Sequence, residues 1–167
     1  MGTNIELIQS KIIGLDQYDN LKRLISTWRL FNKKIVFTNG CFDIIHLGHI
    51  DYLAKAAEHG SVLVVGLNTD ASIKRIKGPS RPINNVLARS MVLSSLWFVD
   101  LVVHFDQDTP YELIKIVQPD FLIKGNDYKP EEIVGYDIVK ANNGQVITLD
   151  FLEGYSTTGI LQKGLQK

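Results

Sequence analysis

His46 and His49 stand three residues apart at the end of the stretch Thr38-Asn39-Gly40-Cys41-Phe42-Asp43-Ile44-Ile45-His46-Leu47-Gly48-His49. An apolar run, Ile35-Val36-Phe37, leads into this stretch, and a helix-like segment from Ile50 to His59 leaves it. The two imidazoles therefore fall where a strand turns into a helix. They share one face of the first turn, because residues i and i+3 are neighbours on a helix. At such a place free backbone N–H groups and the positive end of the helix dipole point at whatever occupies the loop. Gly48 lets a bulky group approach the backbone closely. Imidazoles at a helix N-terminus make a clamp for phosphate, and a phosphate clamp implies nucleotide chemistry.

The elements around this turn follow from periodicity. Residues 4–14 and 17–31 read as two amphipathic helices, with Leu21, Leu24, Ile25 and Trp28 on one stripe of the second. From Lys34 onward short apolar runs alternate with helical segments. Strands are expected at 35–38, 62–67, 101–104, 121–123 and 145–149, and helices near 47–59, 84–96, 109–117 and 131–142. A last short helix is expected to begin around Ser156. Such alternation predicts an α/β fold: a Rossmann-like open parallel five-stranded sheet with helices on both faces. The division expected is an N-terminal helical extension over 1–32 and the catalytic domain over 33–167.

The polar loops all follow strands. After the second strand come Asn68-Thr69-Asp70 and the basic cluster Lys74-Arg75-Ile76-Lys77 with Arg81. After the fourth comes Lys124-Gly125-Asn126-Asp127-Tyr128, and after the fifth Glu153-Gly154-Tyr155-Ser156-Thr157-Thr158. In open α/β sheets ligands bind outside the carboxyl ends of the strands. Four polar loops on that rim, two histidines among them, point to one site.

Composition narrows the partners. The chain has 167 residues, 45% hydrophobic and 22% charged, as expected of one soluble globular domain. Its 18 basic and 18 acidic residues cancel, which argues against a nucleic-acid partner. A single cysteine rules out an internal disulfide. No signal peptide and no membrane-spanning run is recognisable, so the expected location is cytoplasmic.

The histidine segment and Tyr155-Ser156-Thr157-Thr158-Gly159-Ile160 resemble the cytidylyltransferase-like family of nucleotidyltransferases, known by a His-x-Gly-His motif and a later Ser-Thr motif. The likeness runs from about Lys33 to Ile160. Within the family, four segments resemble the D-glycero-β-D-manno-heptose 1-phosphate adenylyltransferases. They are Phe37-Thr38-Asn39-Gly40-Cys41-Phe42-Asp43, Lys77-Gly78-Pro79-Ser80-Arg81-Pro82, Lys124-Gly125-Asn126-Asp127-Tyr128-Lys129-Pro130-Glu131-Glu132 and Glu153-Gly154-Tyr155-Ser156-Thr157-Thr158. Cys41 and Phe151 stand where glycerol-phosphate cytidylyltransferases place threonine and arginine. The arginine of their Arg-Tyr-Val-Asp segment is missing before Phe98-Val99-Asp100, and Gly159 replaces a lysine. ATP is thereby favoured over CTP.

The resemblance implies transfer of AMP from ATP, with Mg²⁺, to a sugar 1-phosphate made by a separate sugar kinase, and a homo-oligomer. It implies His46, His49 and Lys77 as catalytic residues. Asn39, Gly40, Cys41, Phe42, Asp43, Gly48, Lys124, Gly125, Asp127, Ser156, Thr157 and Thr158 would bind nucleotide; Arg81 and Asp127 would bind the acceptor. Lys77 is expected on a mobile loop, and Asp43 as an outer-shell partner of the metal.

Each residue also has a plainer use. Cys41, His46 and His49 could be three metal ligands, although no Cys-x-x-Cys spacing accompanies them. Cys41 could serve as a nucleophile, but in-line phosphoryl transfer needs no covalent step. Asp70 could simply cap the following helix, Lys74 and Arg75 could lie on a solvated face, and Ser156 could be an N-cap. Asp100 reads as a turn residue, His59 and His104 as structural or surface residues, and Trp28 and Trp97 as core or interface aromatics.

Overall fold

The computed structural model describes residues 2–126, 129–157 and 159–160. In chain order the elements are α1 (Asn4–Gln9), β1 (Ile12–Ile13), α2 (Tyr18–Leu30), β2 (Ile35–Gly40) and α3 (Leu47–Ala57). They continue with β3 (Val62–Asn68), α4 (Asp70–Lys77), α5 (Val86–Ser95), β4 (Leu101–Phe105) and α6 (Tyr111–Val117). Last come β5 (Phe121–Gly125), α7 (Tyr136–Ala141) and β6 (Gln145–Leu149). A helical turn opens again at Thr157.

The β-branched runs become strands because both faces can be covered. β3 is buried at all seven positions, as a strand sandwiched between helix layers must be. All pairings are parallel, in the order β1-β4-β3-β2-β5-β6. Alternate side chains feed two cores. Ile35, Phe37, Val62 and Val64 pack with Leu21 and Ile25 of α2 and Leu113 of α6. Val36, Leu63 and Val65 pack on the other face with Tyr52 and Leu53 of α3 and Leu93 of α5. From β2 the chain runs outward to β3 and β4 on one side, then returns to place β5 and β6 on the other. The strand order therefore reverses between β2 and β5, and the crevice above their carboxyl ends is the switch point.

Three expectations change. The sheet has six strands among the described residues, not five. The sixth is β1, inside the segment expected to be a single helix over 4–14. Thr3 caps α1 through a reciprocal pair with Glu6, but the helix ends at Gln9. Ile12 and Ile13 then pair with Val102 and Val103, because the open edge of β4 offers hydrogen bonds that a short exposed helix cannot match. Residues 70–77 form a helix rather than a mobile loop: the Thr69 side chain caps it by accepting from the Ser72 N–H, and Gly78 at φ 95° ends it. Trp97 is 87% exposed and therefore not a core residue.

Candidate active site

His46 is the N-cap of α3, extended at φ −143° and ψ 172°, and its side chain makes no capping bond. Its ring stacks on His49 at 3.8 Å between centroids, with the planes 22° apart. Phe42 makes an edge contact with His49, 5.2 Å between ring centroids and 64° between planes. The Nδ1 atoms of both histidines are buried without a hydrogen-bond partner among the described residues. The Leu47 and Gly48 N–H groups also lack a partner among the described residues, since the helix ladder starts with His49 N–H donating to the His46 carbonyl. A Cβ on Gly48 would lie 3.2 Å from both His46 Nδ1 and Tyr155 Cβ, so the glycine lets the histidine loop and the last loop close on each other.

Burial, and then the neighbouring His46, push His49 down from 6.5 to about 4. The Ile44 carbonyl opposes this shift without being aligned for a hydrogen bond to Nδ1. Burial lowers His46 as well. Both rings are thus neutral at neutral pH, each with one N–H to donate. A folded-state value below the unfolded one means that the unfolded chain binds the extra proton first. The stability tied to neutral His49 is full above pH 6.5 and is lost as pH falls through about 4. Acidification over that window should therefore lower Tm more in the wild type than in His49→Gln. Thermal melts across the window check this; equal slopes would show that His49 does not titrate this low.

The loop feeding α3 is held open by its neighbours. Phe42 sits in the left-handed region at φ 42°, a conformation worth about 1–2 kcal/mol of strain for a side chain of this kind. Asp43 follows, buried. Its Oδ1 accepts from the Ile83 N–H at 2.8 Å and the Asn84 N–H at 2.9 Å. Its Oδ2 lies 2.9 Å from Arg81 Nη1 as an ion pair, although neither atom is aligned for a hydrogen bond. Both oxygens are therefore committed to protein partners. Asp43 thus fastens the 81–84 segment, which includes the cis Arg81–Pro82 bond, to the histidine loop while it lines the cleft over the switch point.

Arg89 was invisible to motif reading, yet it is 1% exposed and joins four segments of the rim. Nη1 donates to the Cys41 carbonyl at 2.7 Å, and Nε to the Asn84 carbonyl at 3.0 Å. Nη2 reaches the Asn68 carbonyl at 2.8 Å and Asp70 Oδ1 at 2.7 Å. Asp70 is thus the counter-ion of this arginine in the first turn of α4, while Thr69 is the cap. His104, whose value burial lowers, pairs its Nε2 with Ser90 Oγ at 2.7 Å one residue along α5.

Two clefts open on this rim. One of about 220 Å³ lies over the switch point, lined by Asn39 to Asp43, His49, Lys77, Arg81, Lys124, Gly125, Phe151 and Thr157 among others. The other, about 380 Å³, is lined by His46, Gly48, Tyr155 and Ser156, and shares His49, Lys77, Phe151 and Thr157 with the first. Of the expected site residues, all that the structure describes line one or both clefts. Asp127 and Thr158 lie outside the described residues. Lys77 is the exposed last residue of α4. Its basic neighbour Arg75 turns away, paired with Asp106 and Asp108. Ser156 accepts the Gly159 N–H at 3.0 Å, so it caps the last helical turn while lining a cleft.

Cys41 has its Sγ 3.9 Å from Asn68 Oδ1, and burial pushes the thiol up, which leaves it protonated. Among the described residues no three His, Cys, Asp or Glu side chains gather as a metal site. No helix among the described residues is long and apolar enough to cross a membrane.

A parallel sheet with two imidazoles at a helix start over its switch point is the architecture of a nucleotide-handling transferase. The chain belongs to the Cytidylyltransferase-like family of nucleotidyltransferases, whose family model matches residues 37–163. Similar relatives bear the name bifunctional protein HldE. That of Nitratiruptor sp. is 60% identical over 131 residues, which are 78% of this chain and 28% of the relative. That of Wolinella succinogenes is 52% identical over 145 residues, 87% of this chain and 30% of the relative. The chain thus spans less than a third of the curated relatives it matches. Among solved structures, a lipopolysaccharide core biosynthesis protein from Thermoplasma volcanium superposes with a TM-score of 0.60 at 28% identity, over 74% of this chain and 99% of that one. A pantoate-β-alanine ligase from Francisella tularensis matches with the same TM-score at 17% identity, over 92% of this chain and 77% of that one, and shares the fold.

Proposed function

We propose that this chain transfers AMP from ATP to D-glycero-β-D-manno-heptose 1-phosphate, forming ADP-heptose in the supply of lipopolysaccharide cores. The observation that carries the reading is the stacked His46–His49 pair, with His49 and Lys77 on the wall common to two clefts. In-line displacement needs the attacking and leaving oxygens on opposite sides of one phosphorus, and a shared wall provides that arrangement. The 52–60% identical HldE relatives support the acceptor, together with the segments around Asn39, Lys77, Lys124 and Ser156.

A non-bridging oxygen of the sugar phosphate attacks the α-phosphorus of ATP. The new P–O bond forms as the bond to the β-phosphate oxygen breaks, and pyrophosphate leaves. The nucleophile is already an anion, so no side chain has to remove a proton. His46 and His49 each donate one N–H to phosphate oxygens, and the unpaired Leu47 and Gly48 amides add two more donors. Lys77 supplies positive charge where negative charge builds up on the phosphates, and Ser156 and Thr157 hold the β- and γ-phosphates. Arg81, Lys124 and Gly125 border the sugar-phosphate and base regions. Mg²⁺ brought by ATP would neutralise charge on the phosphates, with Asp43 on the cleft wall as an outer-shell carboxylate. A sugar kinase activity supplies the acceptor, and the chain works as a homo-oligomer in the cytoplasm.

The test is pyrophosphate release with ATP or CTP, with Mg²⁺, against the heptose 1-phosphate and glycerol 3-phosphate. Release with ATP and the heptose alone is expected. Release only with CTP would replace the reading by a cytidylyltransferase. Tight nucleotide binding without turnover on any acceptor would replace it by a non-catalytic nucleotide-binding module.

A further inference from the structure

Resting on the reading that His49 faces the reacting phosphates, we propose that Arg89 and Asn84 are positioning residues that act on His49 through Phe42. Among the described residues, Phe42 is the one non-glycine site residue in the left-handed region, at φ 42°. The carbonyls of its two neighbours are each held by a side chain, one from α5 and one from the segment just before it. Arg89 Nη1 donates to the Cys41 carbonyl at 2.7 Å, and Asn84 Nδ2 donates to the Asp43 carbonyl at 2.7 Å. The strained residue is therefore bracketed on both sides.

The ring has little freedom while the bracket holds. A Cβ on Gly40 would fall 3.0 Å from it, so the ring lies flush on that backbone. It meets His49 in an edge contact at 5.2 Å between centroids, while His46 stacks on the same imidazole at 3.8 Å. His49 thus packs on one ring fixed by its own helix and on another fixed from the Asn84–Arg89 stretch. Releasing either flanking carbonyl lets Phe42 relax toward an ordinary φ, which swings its ring off His49. The imidazole then loses one of the two surfaces that aim its N–H. Neither Arg89 nor Asn84 touches substrate; each acts through another residue.

Arg89 is buried and also serves Asn68 and Asp70, so replacing it can disturb the fold. Asn84 is exposed, and its Nδ2 bond is separate from the backbone N–H it gives to Asp43. The experiment therefore pairs Arg89→Lys with Asn84→Ala. It reads Tm, the His49 ring proton shifts without nucleotide, and kcat and KM for pyrophosphate release. For Asn84→Ala the expected result is a Tm near wild type and His49 shifts that move as the Phe42 ring current is lost. With that should come a kcat lowered about tenfold at little change in KM for ATP. Arg89→Lys should show the same displacement and a larger kcat loss. Unmoved His49 shifts in Asn84→Ala, or moved shifts with wild-type kcat, would overturn the proposal. A wild-type protein silent in pyrophosphate release would count against the adenylyltransferase reading alone, and the His49 shifts would then decide the bracket by themselves.

Discussion

His49→Ala should lower kcat by about 10²–10³-fold, the usual effect of removing one donor aimed at a developing oxyanion. The protein should remain folded. His49 is half-buried, its Nδ1 has no hydrogen-bond partner among the described residues, and its ring rests on only two others, His46 and Phe42. Removing it relieves a buried unsatisfied nitrogen even as it forfeits ring contacts, and these effects partly offset. His49→Gln keeps an N–H near the position of Nε2 and should recover part of the loss. Because the ring is neutral in the free protein, the substitution removes a donor rather than a charge. The loss should therefore fall on kcat more than on the affinity for ATP. Steady-state kinetics of the two variants decide the matter: a wild-type kcat for His49→Ala would remove the histidine from the chemistry.

Asp43→Ala should show the largest loss of stability, about 3 kcal/mol, or roughly 10 °C in Tm. Two backbone N–H groups, of Ile83 and Asn84, would be left without their acceptor, and Arg81 would be left buried without its counter-ion. Asp43→Asn retains one acceptor oxygen and should fall between. The comparison separates two roles for the same carboxylate. The brace predicts a lowered melting temperature, and the outer-shell role a raised Mg²⁺ requirement of whatever activity survives. An unchanged melting temperature would undo the brace, and an unchanged Mg²⁺ dependence the outer-shell role.

What was legible beforehand follows from range in sequence. The five longer strands and the helix after His46 announce themselves by local periodicity, which needs no knowledge of the rest of the chain. The histidine pair was legible for the same reason: two residues on one turn, next to a glycine. The two-residue strand Ile12–Ile13 was not, because the strand it pairs with, at Val102 and Val103, lies some ninety residues away. Asp43 was read only as facing a ligand since nothing nearby in sequence could claim its oxygens; the claimants are residues 81, 83 and 84. Arg89 was missed because an arginine in an ordinary helix reads as solvated. The one signal available was its neighbours, Ser90 and Ser94, small polar residues on a face that also carries Leu93, all of them buried. A polar cluster on the buried face of a helix marks a place where backbone carbonyls from other segments end.

β4 has five residues, all apolar but His104, and its outer side is paired by the two residues of β1 and by the Tyr18 hydroxyl, which donates to the His104 carbonyl at 2.8 Å. That patch is small, yet it decides how the sheet meets other molecules. An uncovered parallel edge of Leu, Val and Phe is a template onto which a strand from any neighbouring chain can add. Residues 11–13 thus close that edge, anchored by the Lys11 ammonium on the Val99 carbonyl at 2.8 Å. A fragment trimmed to Lys33 would keep every cleft residue named above, yet it would bare the β4 edge and strip Leu21 and Ile25 of α2 out of the core beneath the sheet.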